Sequence, residues 1–235
     1  MPENQAHGKK WEKDLGINVY KATEAELDSV SHTAAIDVPH AFNRLENIDV
    51  SIKVSGKDTI DMADIIRVFD EVSSGKKIHM TVVSWVQKDS NTKKLISITE
   101  VDLTDSVSLL FGSVTREQLL ILVATAKAVG KIRPNVSKEE REKQISSTYT
   151  MRDELQKISG LMHFHLMFYS NNPSRVQGQF KQFSQFVKQN PLRLIAQSHT
   201  CDFRGGRIAE EITSTPRKRK SKHLVLHSEH DSPPS

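Results

Sequence analysis

The run Ile48 to Val54 constrains the fold more than any other stretch of this chain. Ile48, Val50, Ile52 and Val54 alternate with Asp49, Ser51 and Lys53, and a period of two places the first set on one face of a strand and the second on the other. That strand requires an apolar layer beneath Val50 and Ile52, and it lines up three polar groups on its second face. The segments around it supply the layer. Glu3 to Leu15 is rich in helix formers and is expected to close at Gly16. Ser55 to Asp58 turns the chain, and the spacing of Ile60, Ala63, Ile66 and Phe69 predicts a helix capped by Thr59 and running to about Val72. Ile78 to Gln87 and Leu95 to Leu103 read as two strands joined through the polar turn Lys88 to Lys94.

The second half is more helical. Thr115 to Val129 is amphipathic and breaks at Gly130 to Pro134, and Lys138 to Ile158 is a charged helix with an interruption. Leu161 to Tyr169 reads as a strand, and Arg175 to Gln189 as a helix striped by Phe180, Phe183 and Val187. Pro39 marks a turn or strand edge in the mixed stretch Tyr20 to His40. From Thr213 the chain is polar, carries Arg217, Lys218, Arg219 and Lys220, and is expected to be disordered without a partner. No internal repeat is present. The fold class expected is α/β.

With 235 residues, 37% of them hydrophobic, the chain can bury one substantial core or a core with a smaller lobe. Its 33 Lys and Arg against 29 Asp and Glu give a formal charge of +4, weighted toward the last third. A near-balanced chain can hold phosphate with clustered bases and metal with clustered acids. Cys201 is the only cysteine, which excludes an internal disulfide framework and a cysteine-rich zinc site and suits a reducing compartment. No stretch approaches the ~20 apolar residues of a membrane helix, and Met1 to Lys10 is polar, so no membrane partner is expected and the cytoplasm or nucleus is the expected location.

Metal-assisted cleavage of a phosphodiester needs carboxylates for a hard cation and a lysine near the attacked phosphate. The row Asp49, Ser51 and Lys53 offers part of that set. Asp61 and Asp64, three apart, share one face of the helix predicted to follow. The same pattern also describes an ordinary solvated sheet face followed by an acidic helix start.

Asp37-Val38-Pro39, then Ser51-Ile52-Lys53-Val54-Ser55-Gly56, then Asp61-Met62-Ala63-Asp64-Ile65-Ile66-Arg67 resembles the PD-(D/E)xK nuclease pattern. It is similar to the variant in which serine replaces the acid of the strand motif and the acid moves to the next helix. Asn47 to Phe69, Glu100 to Thr104 with Leu110-Phe111-Gly112, and Phe203-Arg204-Gly205-Gly206 further resemble type II restriction endonucleases encoded by large DNA viruses of algae. The resemblance implies a restriction-endonuclease-like mixed central sheet flanked by helices, with a helical DNA-recognition extension. Residues 1–112 would form the catalytic half, 113–213 a recognition and dimerisation half on the same core, and 214–235 a flexible basic tail. It implies that Asp37 is the first Mg²⁺ carboxylate, Lys53 the catalytic lysine and Ser51 the occupant of the usual acid's place, with Glu12 as a supplementary glutamate. The second metal ligand stays open between Asp64, Asp61 and Asp49, with Asp64 as the working assignment. Cleavage of palindromic double-stranded DNA by such enzymes implies a homodimer.

Arg175, Gln177 and Gln179 are of the types that pair with guanine and adenine edges. Arg204 beside Gly205 and Gly206 could bring backbone amides to a phosphate, and Arg217, Lys218 and Arg219 can neutralise phosphates or direct nuclear import. His163 and His165 share a strand face, with no third metal ligand near in sequence. Trp85 reads as core. A structure-selective repair nuclease and a DNA-binding module without catalysis are the competing readings.

Overall fold

A computed structural model describes residues 3–31, 36–130, 136–159, 163–170 and 175–213. Arg217, Lys218, Arg219 and Lys220 lie outside the described residues, as do the predicted break at 131–134 and the start of the strand predicted from Leu161.

Helix α1 (Glu3–Asp14) does not stop at a glycine cap. It runs on into a π-helical turn, Leu15–Val19, in which Gly16 is buried against Leu27. A second helix, α2 (Glu24–Ser29), follows the capping box of Thr23 and Glu26, whose side chain and backbone groups bond reciprocally. The alternating run forms β1 (Asp49–Ser55). The helix expected from Thr59 is instead a strand and a shorter helix, β2 (Ile60–Asp64) and α3 (Ile65–Val72). Asp61 and Asp64 therefore do not share a helix face; Asp64 is the N-cap, and its Oδ1 accepts from the Ile66 N–H at 3.1 Å.

The hairpin β3 (Ile78–Gln87) and β4 (Thr92–Asp102) forms as expected. Short α4 (Val107–Phe111) precedes α5 (Arg116–Gly130), and α6 (Lys138–Ser159) is continuous rather than interrupted. Next come β5 (Phe164–Tyr169), β6 (Arg175–Phe180) and α7 (Phe183–Gln189). The helix predicted to open at Arg175 is thus a strand up to Phe180. It pairs with β5 and β2 on its two sides, and that ladder overrides the weak helical stripe. The chain closes with β7 (Leu194–Ser198), β8 (Asp202–Phe203), β9 (Gly206–Arg207) and β10 (Glu211–Thr213).

The molecule is a mixed α/β structure with a curled mixed sheet and flanking helices. In the larger sheet β1 runs parallel to β3, β3 antiparallel to β4, and β4 pairs with both β7 and β10. A three-stranded sheet in the order β2, β6, β5 lies beside it. Val50, Ile52, Val83 and Ile98 pack on Trp11, Leu15 and Val19, so α1 and its π turn cover one face of the larger sheet. Met80, Val82 and Val101 meet α3, α5 and the smaller sheet on the other face, in a core that joins residues from Ile36 to Phe186. Trp11 Nε1 donates to the Ala209 carbonyl at 2.8 Å, tying α1 to the C-terminal segment. No helix among the described residues is long and apolar enough to cross a membrane.

Candidate functional site

The site lies on the open edge of β1. Val38 bridges to Val50, after which the neighbouring segment leaves the ladder. The Ile52 N–H is thereby left for a side chain, and Asp37 Oδ2 accepts it at 2.6 Å. Ser51 Oγ donates to the same oxygen at 3.5 Å. Lys53 projects from the face that carries Ser51 and brings its Nζ to 3.7 Å from Asp37 Oδ2, with a second bond to the Ile52 carbonyl at 3.3 Å. From the other face α1 presents Glu12, one residue beyond the fully buried Trp11 that anchors the helix. Packing of α1 is thus what brings Glu12 to the strand edge.

Charge is under-compensated here. Burial, and then the neighbouring charge of Asp37, push the Glu12 carboxyl up to about 7, against the pull of Lys53 and Lys9. Burial also raises Asp37 above the usual carboxylate range, although Lys53, the Ile52 N–H and Ser51 all favour its ionised form. Two carboxylates that repel each other in a partly desolvated cleft are relieved by a cation placed between them. A cleft of about 460 Å³ opens beside them, lined by Lys9, Glu12, Lys13, Leu27, Ser31 and Asp37 among others. Lys13 turns to Glu24 and, at 3.6 Å, to Asp28.

The other expected metal ligands stand elsewhere. Asp64 caps α3 and pairs in register with Gln177 in the smaller sheet. Asp61 accepts from Gln179 Nε2 at 2.6 Å. Asp49 shares the row of Ser51 and Lys53, but its Oδ1 accepts the His40 N–H at 2.6 Å and meets His40 Nδ1 at 2.9 Å. Among the described residues no group of three or more His, Cys, Asp or Glu is arranged to hold a metal ion. The acidic groups that interact at the β1 edge are Glu12 and Asp37, and Asp64 Oδ1 is engaged as the α3 cap.

Arg175, Gln177 and Gln179 alternate along β6, so they occupy one face of the smaller sheet while Val176 and Phe180 enter the core. Their row is made by a strand and not by the helix start expected. Arg175 lies over the Tyr169 ring at 5.2 Å. Arg204 is not offered to a ligand. It and Gly205 form the two-residue turn of the β8–β9 hairpin at φ 47° and 77°, and its guanidinium is committed to Glu100 at 2.8 and 2.9 Å and to Glu46. Gly206 is taken into the hairpin ladder, so of the two glycines one completes the turn and the other is a strand residue. His163 Nε2 bonds Gln189 at 2.8 Å, and Trp85 packs at the edge of the core beneath Lys93 Nζ.

Sequence reasoning missed Lys9, which is three residues before Glu12 and therefore on the same helix face, a spacing that was available. It also missed the buried cluster of Glu100, His79 and Arg204, for which no local spacing gives a sign.

The fold and cleft define a mixed α/β protein with two carboxylates and a lysine gathered at an open strand edge. Compared with known proteins, the chain matches no family model, no curated protein and no solved structure.

Proposed function

We propose that this chain is a Mg²⁺-dependent endonuclease that hydrolyses phosphodiester bonds in double-stranded DNA, of the type II restriction kind on a PD-(D/E)xK plan. The observation that carries the reading is the convergence of Glu12, Asp37, Ser51 and Lys53, from three separate segments, on one strand edge. They are four of the residues that the sequence resemblance assigns to catalysis. Mg²⁺ keeps several of its waters and is commonly held by one or two protein carboxylates together with substrate phosphate oxygens. Glu12 and Asp37 fit that demand, and Glu12 replaces Asp64 as the second carboxylate. A bound ion there supplies polarisation of the phosphate and a more acidic water.

The chain's own groups do the rest. Ile52 N–H and Ser51 Oγ fix the carboxylate of Asp37. Lys53 offsets negative charge that grows on the phosphate, or orients the water that attacks it. Arg175 and Gln177 present guanidinium and amide groups of the kind that read base edges, whereas Gln179 is buried with its amide donated to Asp61. Cleavage of both strands at a palindromic site calls for two copies related by a two-fold axis.

Digestion of plasmid DNA with and without Mg²⁺, beside a Lys53→Ala control, tests the proposal. Discrete, Mg²⁺-dependent fragments that vanish in the control support it. Nicks confined to branched or damaged DNA would move the assignment to a repair nuclease, and DNA binding with no cleavage would reduce the chain to a binding module.

A further inference from the structure

Helix α5 is apolar on more than the side it buries. Leu119, Leu122, Val123, Ala126 and Val129 enter the core, yet Leu120 and Ile121 remain 41% and 57% exposed, and Ala124 and Ala128 are exposed with them. At 3.6 residues per turn, Glu117, Leu120, Ile121, Ala124, Lys127 and Ala128 fall within one sector of roughly 120°. This face has an acid at its N-terminal end, a base at its C-terminal end, and large residues followed by small ones between them. Among the described residues neither Glu117 nor Lys127 forms a salt bridge; Arg116, beside Glu117, is turned to Asp70 at 2.6 Å.

We infer that a second copy of this chain docks on this face, α5 against α5 and antiparallel, about a two-fold axis that crosses the face midway between Leu120 and Ala124. An isologous contact requires that each match occur twice, once in each direction. The face meets that requirement. With the axis there, Leu120 of each copy faces Ala124 of the other, large against small, and Glu117 of each faces Lys127 of the other. A parallel pairing would set Glu117 on Glu117 and Leu120 on Leu120. Antiparallel packing also opposes the two helix dipoles. The patch is short, so the dimer is expected to be of micromolar affinity rather than obligate.

Sedimentation equilibrium of the full chain at low salt tests the contact. Wild type is expected to dimerise below about 100 µM, and Glu117→Lys to raise the dimer Kd about tenfold or more, by placing like charges together twice. Glu117→Lys with Lys127→Glu is expected to return the Kd to within about threefold of wild type, since the pairs re-form in reverse. Ala124→Glu is expected to leave only monomer, with circular dichroism confirming that the helix persists. A wild type that stays monomeric overturns the inference. So does a dimer insensitive to both Glu117→Lys and Ala124→Glu, or a charge swap as weak as the single reversal. Cleavage is not part of the readout, so loss of the nuclease reading leaves this contact standing, and a dimer insensitive to these variants leaves that reading standing on another two-fold contact.

Discussion

Asp37, at the open edge of β1, and Glu100, on the inner strand β4, are carboxylates of the same sheet region, and the chain treats them in opposite ways. Glu100 is fully buried and fully answered: His79 Nδ1 lies 2.8 Å from Oε1, and Arg204 Nη1 reaches both oxygens at 2.8 and 2.9 Å. Around it, Tyr20 bonds Thr81 at 2.6 Å, and burial together with the charge of Glu100 pushes its phenol well above the usual range. Asp37 and Glu12 share a cleft open to solvent, with Lys53 Nζ 3.7 Å from Asp37, and both are driven toward their neutral forms. A carboxylate with complete partners clamps structure, here the β8–β9 hairpin onto β4. An incompletely compensated pair facing a cleft is of the kind that marks a functional site.

The largest expected effect is on cleavage. Asp37→Asn should lower Mg²⁺-dependent cleavage by about 10³-fold or more while DNA binding changes only a few-fold. Kinetics on plasmid beside a filter-binding isotherm check this. If instead the variant unfolds as readily as a Glu100 variant, the contrast between the two sites is broken. Arg204→Ala should cost about 3–5 kcal/mol, because it leaves Glu100 buried with one partner fewer. A urea midpoint that moves by the equivalent of less than about 1 kcal/mol would remove the clamp from that side of the comparison.

Glu12 sharpens the contrast through pH. Its folded-state value of about 7 exceeds the ordinary 4.5, so the folded protein keeps a proton that the unfolded chain releases between those values. Stability therefore falls as pH rises through that window, by on the order of 3 kcal/mol at most. Glu12→Gln cannot ionise. It should match wild type near pH 4 and be more stable at pH 8, and unfolding at the two pH values without divalent ions measures the difference. Adding MgCl₂ at pH 8 should stabilise wild type and not the variant. The smallest effect belongs to Asp64→Ala, which removes the α3 cap and should cost about 1 kcal/mol. Cleavage should stay within a few-fold of wild type, and a large loss would return Asp64 to the site.

How far these sites were legible depends on whether their cause is local. The alternation in β1 and the hairpin of β3 and β4 are period-two patterns, and they fold as such. The capping box of Thr23 and Glu26 is likewise a local pattern, set by a spacing of three. β2 and β6 differ from the helices expected there because Asp61-Met62-Ala63-Asp64 and Arg175-Val176-Gln177-Gly178-Gln179 suit either state. Their mutual pairing, Asp61 opposite Gln179 and Asp64 opposite Gln177, decides it across more than a hundred residues. Moving the start of α3 from Thr59 to Ile65 turned Asp64 from a helix-face acid into a cap, and with it went the reason to place Asp64 beside Lys53. Arg204 looked free because nothing within ten residues of it is acidic except Asp202, Glu210 and Glu211, while Glu100 and Glu46 lie far away in sequence.

By itself the sequence determined that β1 is a strand with Ser51 and Lys53 on one face and that a hairpin follows. Only the tertiary structure decided which carboxylates share a cleft and which are neutralised. Spacing fixes which side of an element a residue takes. The energy of a charge depends on its depth and on the distance to every other charge, and those are set only when α1, β1 and the β8–β9 turn have packed.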